Sequence, residues 1–128
     1  MKVLRSEQAP RYVRPEGITS YLLASARTCD AAMLTTTVVE LAPGGHQRVH
    51  SHEPEQVYFV LEGRGSMTVG EDVAEVSAGD CVFIPSGMPH GVRNAGPGTL
   101  RYFSAAAPAF ARDDLERLWP LEPAKTRA

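Results

Sequence analysis

From Met33 onward the chain alternates between short apolar, β-branched runs and clusters of turn formers. "MLTTTVVEL" (33–41) ends at "APGG", and "HQRVHSH" alternates after that turn. "EPE" interrupts the alternation, and "QVYFVLEG" follows as a β-prone run closed by Gly63. "GSMTVGEDVAEVSAGD" predicts two strands around a turn at Gly70 to Asp72. "CVFIP" predicts a compact strand stopped by Pro85, and "SGMPHGVRNAGPG" a loop with one short strand inside it. "TLRYFSAA" predicts a last strand, stopped by Pro108. Residues 1–30 are mixed, broken by Pro10, Pro15 and Gly17, although "ITSYLLAS" (18–25) has strand character. "RDDLERLW" (112–119) differs: early acids, Leu115, Leu118 and Trp119 on one side and Pro120 as a stop predict a short amphipathic helix that caps one barrel end.

Strands spaced about 8 to 12 residues apart, with turns between them, predict an all-β sandwich or barrel. The expected organisation is one domain over 1–128: an N-terminal arm over about 1–30, a barrel over about 31–108, then the helix and tail over 109–128. The final "EPAKTRA" reads as a frayed end. A net charge of −2, with no basic block, predicts no nucleic-acid partner. The N-terminus lacks the apolar core of a signal peptide, and no apolar run approaches membrane-spanning length. A soluble cytoplasmic protein with no membrane partner is the expectation. Cys29 and Cys81 cannot make a disulfide framework and read as buried or half-buried thiols.

The chemistry concentrates in the histidines. Alternation along a strand puts His50 and His52 on one face, where two imidazoles reach a single ion. Gln56 opens the next strand, and a third histidine, His90, lies far away in "PSGMPHGVRN". The framework around these residues is ordered. Gly44, His50, His52 and Gly63 follow the pattern glycine, five residues, His-x-His, three or four residues, glutamate, six residues, glycine, with Gln56 standing at the glutamate position. Gly79, Pro85, Gly87, His90 and Asn94 follow glycine, five residues, Pro-x-Gly, two residues, histidine, three residues, asparagine. In these two motifs the chain resembles the cupins, with nine positions matching in order and spacing over Gly44 to Asn94. The resemblance implies a small double-stranded β-helix of the jelly-roll type. It implies a metal held by His50, His52, Gln56 and His90: a divalent first-row transition metal such as Fe, Mn, Ni, Zn or Cu. It also favours a homodimer.

Gln56 departs from the resemblance, because glutamate is usual at its place. Four neutral ligands would leave the ion its full charge, making it a stronger Lewis acid and a weaker binder of hard ions. Counting by twos from His50 places Arg48 and His46 on the ligand face; Arg48 would meet a carboxylate or enolate, or pair with Glu53 or Glu55, while His46 sits exposed by the turn. Counting from Gln56 places Tyr58 inward, as wall or proton donor, and turns Val57, Phe59 and Leu61 outward. Asn94 reads as a turn residue, and Met33, Phe83, Tyr102 and Phe103 as core or cavity wall. The function expected is a metal-dependent enzyme acting on a small oxygenated or acidic organic molecule by isomerase- or cyclase-like Lewis-acid chemistry. A quercetinase-like dioxygenase is the second reading, and a non-catalytic small-molecule binding cupin the third.

Overall fold

The computed structural model describes residues 1–122, so the end of the tail read as frayed lies outside the described residues. Ten strands build two antiparallel sheets. The strands are β1 (Arg11–Arg14), β2 (Ile18–Leu22), β3 (Thr35–Leu41), β4 (His46–His50), β5 (Glu55–Glu62), β6 (Arg64–Val69), β7 (Asp72–Ser77), β8 (Cys81–Ile84), β9 (His90–Asn94) and β10 (Leu100–Ala107). One sheet runs β1-β2-β3-β10-β5-β8, the other β4-β9-β6-β7. This is the double-stranded β-helix that the motifs imply, with strands at 48% of the described residues and helix at 11%. Within the segment read as an N-terminal arm, β1 and β2 form a hairpin that extends the six-stranded sheet, through pairing of β2 with β3.

Alternation fills the interior. Thr35, Thr37, Val39 and Leu41 of β3 face inward, as do Leu100, Tyr102, Ser104 and Ala106 of β10 and Gln56, Tyr58 and Val60 of β5. Register stacks these into layers: Tyr102 lies between Val39 and Val60, Ser104 between Thr37 and Tyr58, and Ala106 between Thr35 and Gln56. The interior therefore grades along the strands. One end is apolar, with Leu41, Val60, Val92 and Leu100; the other turns polar, with Thr35, Thr37, Gln56 and Ser104. Burying polar side chains is favourable only when each finds a partner, so the polar end is where a site belongs.

Two turns show what the motif glycines do. Gly63 sits at φ +82°, between β5 and β6, and a Cβ there would collide with the carbonyl oxygen of Thr99. Gly87 sits at φ +74° in the loop before β9, and its N–H donates to the carbonyl of His52 (2.8 Å), tying the second motif to the first. Asn94 is buried and organises the following turn: its amide donates to the carbonyls of Leu41 (2.9 Å) and Gly98 (2.7 Å), and its oxygen accepts from Gly96 N–H (2.9 Å).

Some expectations about burial fail. Cys81 and Phe83 are exposed, Phe83 at 57%, because β8 is an edge strand whose alternate residues face away from the core. Met33 is 71% exposed, ahead of β3 rather than within it. Tyr102 is in the core as expected. Phe59 and Leu61 face outward beside Phe83, giving the large sheet an apolar outer surface.

A four-residue helix, α1 (Ala26–Cys29), and α2 (Arg112–Leu118) close the polar end. Asp113 and Asp114 in the first turn of α2 suit its positive dipole end. Leu115 and Trp119 pack on Leu22, forming a second apolar cluster, and Trp119 Nε1–H donates to Ser20 Oγ (3.0 Å). Leu115→Ala is expected to lower the unfolding free energy by about 2–4 kcal/mol in a urea titration. A loss well below that range would show that α2 lies outside the cooperative core.

Candidate metal centre

The β4–β9 ladder does what sequence distance alone could not: it places His50 directly opposite His90. His52 follows β4, and the three imidazoles crowd together, with ring centroids 4.3 Å (His50–His90), 4.9 Å (His52–His90) and 5.5 Å (His50–His52) apart. One nitrogen from each lies within 4.8 Å of the others.

A backbone carbonyl fixes each ring. Nδ1–H of His50 donates to Arg48 C=O (2.9 Å), that of His52 to Pro54 C=O (2.8 Å), and that of His90 to Met88 C=O (2.9 Å). With Nδ1 protonated, the neutral ring carries its lone pair on Nε2. His90 Nε2 is buried and has no hydrogen-bond partner among the described residues. Burial lowers the pKa of His90 to about 4 from 6.5, with the neighbouring His50 and His52 adding to the shift. Burial also lowers His50, partly opposed by its bond to the Arg48 carbonyl.

Gln56 completes the set. Its amide nitrogen donates to Ser104 Oγ (3.2 Å), and Ser104 shares a hydrogen bond of 2.6 Å with Thr37. Its oxygen is thereby turned to His52 Nε2, 3.0 Å away. A carbonyl oxygen and an imidazole lone pair facing one another across 3.0 Å repel unless a cation or proton lies between them. Three Nε2 lone pairs and one amide oxygen converging in a partly buried space fit a divalent first-row ion with positions left for other ligands.

The remaining candidates divide. Tyr58 faces inward, is 3% exposed, stacks on Tyr102 (centroids 4.5 Å) and sets its ring edge-on to His90 (5.9 Å). Its hydroxyl donates to Gln47 Oε1 (2.7 Å), and burial raises its pKa, so it stays a protonated phenol. Arg48 breaks the expected alternation. Between Gln47 and His50 the β4–β9 register slips by one residue, a bulge on β4. Gln47 takes the inward position, and Arg48 stands exposed at the cavity rim, without a Glu53 or Glu55 ion pair among the described residues. His46 also lines the cavity, half-buried rather than exposed. Gln47 is the residue that sequence reading missed: its oxygen accepts from both Tyr58 and Tyr102 (3.1 Å). Nothing in "HQRVHSH" announces a bulge.

Comparison with known proteins agrees with this geometry. The family model for the cupin domain matches residues 37–106. An uncharacterized protein of Methanocaldococcus jannaschii is 36% identical over 76 residues, 59% of this chain and 61% of that one. A dimethylsulfoniopropionate lyase of Ruegeria pomeroyi is 38% identical over 65 residues, 51% of this chain and 42% of the lyase. The chain thus spans only about 40–60% of the length of these curated relatives. Among solved structures, the polyketide cyclase RemF of Streptomyces resistomycificus superposes with a TM-score of 0.71 at 27% identity, covering 91% of each chain. The matched domain takes in more than half the chain and includes the three clustered histidines and Gln56, and the chain belongs to the cupin family.

Proposed function

We propose that the protein is a metal-dependent enzyme that binds a small oxygenated or acidic organic molecule at the His50, His52, Gln56 and His90 centre and rearranges it by isomerase- or cyclase-like chemistry. The observation that carries this reading is the all-neutral donor set in a deep cavity. A divalent ion held there would supply Lewis acidity, polarising a carbonyl or enol oxygen of the substrate. The protein's own groups do the rest. The three backbone carbonyls keep each Nε2 free for the ion, and Ser104 keeps the Gln56 oxygen turned inward. Tyr58 walls the cavity beside His90 and, through Gln47, holds a hydrogen-bonding group on the inner face of β4. Arg48 at the rim offers a guanidinium to an acidic substituent. The cyclase and the lyase named above have a similar fold or sequence, which supports such chemistry without specifying a substrate.

We also propose that two copies pair through the outer face of the six-stranded sheet, where Phe59, Leu61 and Phe83 are exposed. An equilibrium sedimentation mass of two chains is the expected result, and a mass of one chain would overturn the pairing.

Replacing Gln56 by glutamate adds an anionic ligand. Gln56→Glu is expected to tighten Mn(II) binding on the order of tenfold, read by calorimetry on protein purified without added metal. Unchanged affinity and metal preference would remove Gln56 from the ligand set. A second measurement uses protein stripped with a chelator. His90 has a folded pKa near 4, below its unfolded value of 6.5, so its contribution to stability is fully present above about pH 6.5. As pH falls from about 6.5 toward 4, the unfolded chain takes up a proton that the folded chain refuses, and stability falls. Urea titrations at pH 7, 5.5 and 4 are expected to show that decline, and His90→Gln is expected to flatten it.

A further inference from the structure

The cavity is larger than its metal centre requires. It has a volume of about 440 Å³, room for roughly fifteen waters at their liquid volume. That is the size range of ligands with two or more rings. A two-carbon diacid would leave most of it to solvent.

Its wall is aromatic and continuous with the ligands. The Phe110 ring stands edge-on to His52 at 5.3 Å. Trp119 lies beside Phe110 at 6.3 Å, the two planes only 30° apart, and Tyr12 continues the series from Trp119 at 5.8 Å. These rings are held in place. Trp119 donates Nε1–H to Ser20, and its carbonyl accepts from Arg27 (2.9 Å). Phe110 N–H donates to Thr35 Oγ1 (3.0 Å). A wall fixed by hydrogen bonds loses little conformational entropy when a flat ligand lies against it.

The charges point the same way. Among the described residues no lysine or arginine is buried. Of the guanidiniums lining the cavity, Arg48 is exposed, Arg14 lies over the Tyr12 ring (4.8 Å), and Arg117 pairs with Asp114 (3.2 Å). A small dianion at the centre would meet no buried cation of the protein.

We propose that this cavity takes a planar aromatic or conjugated molecule of two or more rings, which presents adjacent oxygens to the metal centre and lays its body along Phe110, Trp119 and Tyr12. The proposal rests on the metal-centre reading and deepens it by naming the substrate class.

Trp119 is the chain's one tryptophan, so its fluorescence reports directly on that wall. The test uses zinc-loaded protein, because zinc is redox-silent. 3-Hydroxyflavone serves as the planar chelator and oxalate as the small one. Saturable quenching by 3-hydroxyflavone, with affinity above that of oxalate, is the expected result. Phe110→Leu keeps apolar volume but removes the ring; it is expected to weaken the flavone roughly three- to tenfold more than it weakens oxalate. Tyr12→Leu, at the far end of the series, is the second variant, read by calorimetry with the same expectation. Oxalate binding as tightly as the flavone, or flavone binding unaffected by both substitutions, overturns the proposal. Zinc calorimetry on the same samples separates the two ideas. Failure to bind zinc sinks the metal-centre reading, whereas zinc binding without a flavone preference sinks only the substrate class.

Discussion

The structure depends on three imidazoles being turned the same way. Each gives its Nδ1–H to a backbone carbonyl nearby, of Arg48, Pro54 or Met88. That choice leaves three lone pairs pointing into one partly buried space, an arrangement that costs free energy unless a cation occupies it. Much of the surrounding architecture serves this constraint. The β4–β9 ladder sets His50 against His90, and the bulge on β4 lets the strand present both Gln47 and His50 inward. The Gly87 N–H joins the second motif's loop to the carbonyl of His52. Loosening any of these would let an imidazole turn and satisfy its nitrogen elsewhere.

Much of this was legible in the sequence because strands alternate and turns need glycine. The stretches 35–41, 56–60 and 100–107 each turn every second residue inward, with Val38 the one out-of-phase residue that is also buried. The motif spacing picked out four residues that the fold brings together, His50, His52, Gln56 and His90, because the turns between them fix the chain's path. Parity failed where one residue was added to a strand. Arg48 moved to the rim and Gln47 moved inward, and no residue type in "HQRVHSH" encodes that slip. Edge position was equally hidden. "CVFI" has the composition of a buried strand, yet β8 pairs on one side only and exposes Cys81 and Phe83.

The aromatic wall was illegible for a different reason. Tyr12 belongs to β1, and Phe110 and Trp119 flank α2, so the wall unites residues about 100 positions apart. Each alone reads as ordinary core or cap. Only the hairpin's attachment to β3, and the packing of α2 on Leu22, bring them to the mouth. The two ends of the chain thus build the outer cavity, while the motifs build its floor.

Gln56 is best understood through what lies behind it. An amide has one face that accepts and one that donates, and Ser104 takes the donating face. The Ser104 hydroxyl can accept that bond and still donate to Thr37, 2.6 Å away, so the buried chain Thr37–Ser104–Gln56 satisfies its members in one consistent direction. A carboxylate at position 56 has no donor to offer. Ser104 would then have to donate to it and accept from Thr37, reversing the whole chain. Both hydroxyls can rotate to serve either direction, so the same two residues can hold an amide or a carboxylate at position 56, and it is the residue at 56 that sets the charge there.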